Sequence, residues 1–193
     1  LLNQLVGTKV SIVSPKVQTT RRRIIGISMQ ELTQILFVDT PGIFAPQKRL
    51  ERAMVQAAWA AAADADLCLF LVDAKRGLDA AGLAVLEGLA DIKASPILVI
   101  NKIDLVPPAN LLPLIEQLQK RGSFRATFLV SAQTGNGCLE LLSTVAASLP
   151  EGPWLFPEDQ LSDLSNRAIA AEITREKLFL QLHQELPYST TVE

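Results

Sequence analysis

Three short polar stretches stand where apolar runs stop: Asp39-Thr40-Pro41-Gly42, Asn101-Lys102-Ile103-Asp104 and Ser131-Ala132. A carboxylate at Asp104 can accept two hydrogen bonds from the ring N–H and exocyclic amine of a guanine. Adenine offers no such donor pair, so it would leave a desolvated acceptor unpaired. Asn101 can orient its own loop and meet the base edge. The alkyl stem of Lys102 can lie over a purine with its charge in water. The backbone N–H of Ala132 can donate to the guanine carbonyl, and its small side chain permits close approach. Asp39 is a hard oxygen donor suited to holding Mg²⁺ through water. Gly42, lacking Cβ, lets its N–H approach a terminal phosphate. Together these residues describe a purine held at one end and a metal-bearing polyphosphate at the other.

Such residues need rigid elements to converge. Leu1 to Val6 reads as a helix end closed by Gly7. Arg23–Met29 and Thr33–Val38 read as an antiparallel hairpin. Strands at Leu67–Val72, Ile97–Ile100 and Ala126–Val130 then alternate with helices at Arg49–Ala63, Ala80–Ile92, Leu111–Arg121 and Leu139–Leu149. That alternation predicts a mostly parallel sheet with helices on both faces. In such sheets ligands lie outside the carboxyl ends of the strands, which is where the three polar stretches fall. Pro150 to Asp163, rich in proline and acid, reads as a linker. Ser165 then caps an amphipathic helix reaching about Leu186, and Tyr188–Glu193 opens a further strand.

Composition narrows the classes. With 49% hydrophobic residues in 193, the chain has material for one well-cored domain and an appendage, so disorder is excluded. A formal net charge of −2 excludes indiscriminate coating of nucleic acid. Cys68 and Cys138 lie inside apolar patterns without ligand spacing and read as packing residues of a reducing compartment. No signal peptide and no bilayer-length apolar run is visible. Trp59 and Trp154 read as packing residues, His183 as a surface residue, and Lys75-Arg76-Gly77 as a turn. Asp64 and Asp66 read as a helix end and a strand entry. The run Arg21 to Arg23 reads as a solvated strand start. Taken alone, NKID reads equally well as a cap on a strand-to-helix turn; the register of DTPG and SA with it favours the ligand reading.

DTPG, NKID and SA in this order, preceded by QTTRR, resemble the translation-factor type of P-loop GTPase. KVSIVSPKVQTTRRRIIGI followed by DTPGI looks like the Era family of ribosome-assembly GTPases, and REKLFLQLHQELPYSTTVE is similar to the opening of that family's type II KH domain. The resemblance implies an α/β fold: a P-loop NTPase-like G domain over 1–149, a linker over 150–164, and the first helix and strand of a KH domain over 165–193. It implies GTP and GDP as ligands with Mg²⁺, GTP hydrolysis, and binding of 16S rRNA near its 3′ end in 30S subunit assembly. A cytoplasmic monomer with peripheral membrane contact is implied as well.

Carried over by residue, Gln18, Thr19, Thr20, Arg21 and Arg22 match the first switch, with Thr20 and Asp39 on the metal. Asp39, Thr40, Pro41, Gly42 and Ile43 match the second switch. Asn101, Lys102, Ile103 and Asp104 match the base-reading loop, supported by Ser131 and Ala132. Ile43 stands where Ras-type relatives carry a water-positioning glutamine, so slow intrinsic hydrolysis is expected. The phosphate loop G-x-x-x-x-G-K-[ST] would precede Leu1, and the KH GxxG loop would follow Glu193. The expectation is therefore a fragment that binds GTP weakly, from a parent that binds it well. Two alternatives are a nucleotide-independent RNA or ribosome-binding scaffold, and an assembly GTPase of the same superfamily with a different second domain.

Overall fold

A computed structural model describes residues 1–14, 23–40, 42–43, 49–91, 95–181 and 192. Helix α1, Leu2–Val6, ends at Gly7 (φ 80°), whose N–H returns to Asn3 O at 3.0 Å. Only a residue without Cβ adopts that left-handed stop at little cost. Strands β1, Ile24–Gln30, and β2, Thr33–Asp39, form the expected antiparallel hairpin across Glu31-Leu32, with Ile24 opposite Asp39. Gly26 of β1 allows α1 to lie directly on the hairpin: a Cβ there would sit 2.6 Å from Leu2 Cδ1 and 2.7 Å from Val6 Cγ2.

The remaining elements alternate as the periodicity predicts, with ends moved by a few residues at most. Helix α2 spans Arg49–Asp64, β3 Leu69–Asp73, α3 Ala80–Asp91, β4 Ile97–Asn101, α4 Leu111–Gln119, β5 Ala126–Leu129, α5 Cys138–Ser148 and α6 Asn166–Gln181. Strands β3, β4 and β5 run parallel, in that order, with Asp73 opposite Asn101 and Ile100 opposite Leu129. Their carboxyl ends therefore share one rim.

Strand β4 explains why four apolar residues occur in succession. Ile97, Leu98, Val99 and Ile100 are each fully buried. Successive side chains point to opposite faces. Ile97 and Val99 join Leu141, Leu142 and Val145 of α5, with Leu5 of α1. Leu98 and Ile100 join Leu86 and Leu89 of α3, with Leu118 of α4. Each such burial contributes about 1.5–3 kcal/mol, so β4 is the strand on which both layers are built. Trp59, Cys68 and Cys138 pack into these layers, as expected of them.

The parallel sheet and the antiparallel hairpin are both as expected, and their connection adds a detail. Among the described residues the strands form two separate sheets, the β1–β2 hairpin and the β3–β4–β5 parallel sheet. Side chains rather than ladder hydrogen bonds unite them: Ile35 and Phe37 of β2 pack in one cluster with Leu69 of β3 and Val99 of β4. The strand pattern in the sequence carries no information on that break.

Residues 150–164, expected as a linker, form a strap laced to the hairpin. Gln34 is its clasp: Nε2 donates to Phe156 O at 2.8 Å, while Oε1 accepts from the N–H of Leu155 (2.8 Å) and Phe156 (3.0 Å). Trp154 Nε1 donates to Leu32 O at 2.9 Å. Farther along, Ile27 N–H donates to Leu161 O, Ser162 Oγ to Ile25 O, and Ile25 N–H to Asp163 Oδ1. Gln34→Ala is expected to weaken the strap by about 1–3 kcal/mol. Faster amide exchange at Leu155 and Phe156, with the β4 amides unchanged, is the readout.

Ser165 caps α6 as predicted, its Oγ accepting from Ala168 N–H at 3.3 Å. The remainder of the expected helix to Leu186, His183 on it, and the strand start at Tyr188 lie outside the described residues.

Candidate functional site

The base-reading stretch is built around one amide. At the end of β4 the side-chain oxygen of Asn101 accepts the N–H of Lys102 (2.8 Å) and of Ala132 (3.0 Å). Its backbone oxygen accepts the N–H of Ala74, which follows β3, at 2.8 Å. Asn101 thus ties the exits of all three parallel strands. Lys102 leaves the strand in the left-handed region (φ 65°, ψ 36°), and Ile103–Leu105 then close a 3₁₀ turn. That reversal sets Asp104 exposed on the rim, while Ile103 packs into the layer under α3 and α4.

The supporting loop is tightly wound. Ser131 is buried; its N–H donates to Asn136 O and its carbonyl accepts from Gly135 N–H. Its hydroxyl accepts from Thr134 N–H at 3.2 Å. Gly137 (φ 73°) packs so closely on β5 that a Cβ would fall 2.2 Å from Leu129 O. Between the amino-terminal segment and this rim lies a cavity of about 680 Å³, lined on one side by residues such as Asn3, Thr8 and Val13 and on the other by Asn101, Lys102, Asp104 and Ala132.

The second cluster forms at the exit of β2. Asp39 is half-buried, and its Oδ2 accepts a hydrogen bond from Ser11 Oγ at 3.2 Å. Ser11 is positioned by Asn3, whose Oδ1 accepts the N–H of Val10 and Ser11 while its Nδ2 donates to Ser11 O. Thr40 and Ile43 are half-buried. At Gly42 a Cβ would meet nothing within 4 Å among the described residues, and its φ is not in the left-handed region. Neither packing nor backbone strain among those residues requires glycine there. Pro41 and the first-switch residues Gln18, Thr19, Thr20, Arg21 and Arg22 lie outside the described residues.

Two details refine the sequence reading. The ammonium of Lys102 is exposed to water as expected but is also paired: Nζ lies 2.6 Å from Asp73 Oδ2. The N–H of Ala132, expected to face a guanine carbonyl, is already given to Asn101, so a ligand carbonyl there competes with or shares that bond. Asp73 itself drew no attention in the sequence. Its Oδ1 accepts the N–H of Lys75 (2.8 Å) and Arg76 (3.2 Å), closing the turn expected at Lys75 to Gly77. Burial opposes its charge, but the hydrogen bonds from Lys102 and these two N–H groups prevail and hold the Asp73 carboxyl below its usual range. The available signal was its place at the end of β3, on the same rim.

Glu176 of α6 is a further residue without a sequence signal. It accepts from Val13 N–H at 2.9 Å and from the Lys9 ammonium, just before the first-switch stretch. Nearby Glu172 and Arg175 pair with each other in burial. Burial opposes the Glu176 charge, yet Lys9 and Val13 N–H hold its carboxyl below the ordinary value. A carboxyl with a lower pKa folded than unfolded stabilises the fold at neutral pH, and that contribution disappears as pH falls through the glutamate range. Acid titration should release α6 from the Lys9–Val13 segment, and Glu176→Gln should remove that dependence, followed by NMR shifts of Val13.

Among the described residues no three His, Cys, Asp or Glu side chains cluster as a metal cage. Burial pushes the Cys68 and Cys138 thiols up, in keeping with their packing role. Asp39 offers one oriented carboxylate, a donor set that suits a hard cation receiving its other ligands from water and a phosphate.

The chain matches the family described as 50S ribosome-binding GTPase over residues 1–102. It is 55% identical over 193 residues to GTPase Era of Agrobacterium fabrum, covering all of this chain and 61% of that protein. It is 54% identical to GTPase Era of Sinorhizobium medicae, covering 62% of it. The chain thus spans about three-fifths of the length of these curated relatives. Among solved structures, Era in complex with MgGDPNP and nucleotides 1506–1542 of 16S ribosomal RNA superposes with a TM-score of 0.92 at 41% identity, over 97% of this chain and 64% of that one. Elongation factor SelB of Methanococcus maripaludis, at 20% identity, a TM-score of 0.55 and coverage of 82% of this chain and 32% of that one, shares the fold alone. The fold is that of a P-loop GTPase G domain, and the chain belongs to the 50S ribosome-binding GTPase family, resembling its Era members from Leu1 to Glu193.

Proposed function

We propose that this chain is the base-reading and switch-bearing part of a GTP-binding, GTP-hydrolysing protein that acts on 16S rRNA during 30S subunit assembly. The observation that carries the reading is the Asn101 clamp. One amide oxygen holds both Lys102 and Ala132, which sets Asp104 on the rim of a cavity of about 680 Å³. A carboxylate acceptor facing that space selects the donor edge of guanine over adenine.

At the other end, Asp39 and Thr20 would hold Mg²⁺, and Gly42 would meet the terminal phosphate. The ion supplies charge to bind and polarise the phosphates. Asp39 is kept oriented for it by Ser11. Loss of that phosphate frees both switch segments to relax. Ile43 cannot hydrogen-bond a water, so intrinsic hydrolysis is slow until a backbone group, a cation or a partner positions one.

Residues 1–149 form the G domain, 150–164 the connecting strap, and α6 opens a type II KH domain that contacts RNA. The Era structure named above contains a 16S rRNA segment, which supports RNA as the partner by similarity. Residence in the cytoplasm as a monomer with peripheral membrane contact rests on the resemblance alone; no helix among the described residues is long and apolar enough to cross a bilayer.

The test is a titration of the full-length protein with fluorescent GDP and GTP analogues, with ATP and ADP as competitors. Saturable binding that adenine nucleotides fail to displace is the expected result. Equal competition by adenine and guanine nucleotides refutes the reading.

A further inference from the structure

We propose that Asp73 is a positioning residue for the base site: its carboxylate fixes the ammonium of Lys102, so that the lysine stem is already a wall of the cavity before a purine enters. The inference rests on the guanine-nucleotide reading above and adds a residue to it.

Strand register makes the contact possible. Asp73 and Asn101 are paired partners at the ends of β3 and β4, and Lys102 is the next residue. Its left-handed backbone returns the chain across the rim, and Nζ reaches Asp73 Oδ2 at 2.6 Å. The carboxylate is itself oriented, because its other oxygen accepts the N–H groups of Lys75 and Arg76. The neighbouring cation Arg76 pairs instead with Asp79, at 3.5 Å, and leaves Asp73 to Lys102.

The pair is poorly placed to stabilise the fold. The Lys102 side chain is 53% exposed. Ion pairs so open to water contribute little to folding. Its consequence is geometric. A lysine stem with a free head samples many rotamers, and a ligand that packs against it must order them at the expense of affinity. Anchoring the head places that ordering in the folded protein. Lys102 also lines the cavity beside Asn101 and Asp104, so the ordered stem adjoins the groups that read the base.

The test uses the full-length protein. Asp73→Asn keeps the shape and an acceptor oxygen for Lys75 and Arg76 but loses the charge that holds Lys102. Affinity for a fluorescent GDP analogue is expected to fall roughly three- to tenfold, mainly through faster dissociation, as for a rotamer-rich side chain that must be ordered on binding. The melting temperature without nucleotide should fall only slightly, since the charge that the folded state favours at Asp73 is lost while the turn keeps its acceptor, and the binding loss should persist at temperatures where both proteins are fully folded. Lys102→Met, which keeps a stem but no ammonium, should show a similar loss, and adding Asp73→Asn to it should cause no further loss. Asp73→Glu should restore part of the affinity.

Parental affinity in Asp73→Asn, or losses that add in full in the double variant, overturns the proposal. If Asp73→Asn fails to fold, parental affinity in Lys102→Met overturns it equally. Asp104→Asn, measured alongside, separates the two readings. A shift toward xanthine nucleotides there with no effect at Asp73 removes the role of Asp73 and leaves the base site. No shift at Asp104 removes the base-site reading itself.

Discussion

Asp104→Asn in the full-length protein is expected to reverse base preference, weakening GDP by about 100-fold and making XDP the tighter ligand. A carboxylate presents two acceptors to the ring N–H and exocyclic amine of guanine. An amide turns one of those positions into a donor, which faces the guanine amine without a bond. Xanthine carries a carbonyl at that position and accepts the donor. An unpaired polar group shut from water costs about 1–3 kcal/mol, and charge-assisted bonds are stronger than neutral ones. Asp104 is exposed at the rim before any ligand arrives, so 100-fold is preferred to the larger ratios of fully enclosed sites. Parallel titrations with fluorescent GDP and XDP decide it. Retention of guanine preference would show that Asp104 does not read the base.

Gly137→Ala should be the most damaging small change in the site, with an expected loss of about 3 kcal/mol of stability. Two independent costs meet there. The backbone has φ 73°, which a residue with Cβ adopts under strain, and the new Cβ would fall 2.2 Å from the Leu129 carbonyl. That oxygen belongs to β5 and cannot swing aside as a side-chain end could. Relief must come from moving the start of α5 or the 131–136 loop, and Ala132 sits in that loop. Chemical denaturation reads the stability loss, and guanine-nucleotide binding should weaken in parallel. A variant as stable as the parent would mean that the loop yields without cost. Gly7, also left-handed but with nothing within 4 Å of its Cβ position, is the internal comparison and should tolerate alanine at about 1 kcal/mol.

Much of this was legible in the sequence where local pattern decides. Four consecutive apolar residues ending in a polar triplet identified β4 and its exit, because burial on both faces removes the usual alternation. The stop at Gly7, the hairpin turning between Met29 and Thr33, and the Ser165 cap follow from single residues and their immediate neighbours.

What escaped depends on partners distant in the chain. Asp73 meets Lys102 across 29 positions, and only strand register brings them together. Gln34 clasps Leu155 and Phe156 across more than 120, so a stretch that composition reads as a linker becomes a laced strap. Asn3 and Ser11, which orient Asp39, were ordinary polar residues of a helix end and a loop until their hydrogen bonds were seen. The engagement of the Ala132 N–H by Asn101 is of the same kind: sequence names the donor but not the acceptor it has already found.

The strap also decides how α6 can travel. A free tether would let the helix wander and report nothing about the G domain. Stitched to β1 at Ile25 and Ile27 and to β2 through Gln34, it gives α6 a fixed bearing instead. The helix itself is held through Glu176 to Lys9 and Val13, so a reorientation of α6 breaks those contacts and pivots beside Ser165, close to the hairpin, rather than swinging on a long tether.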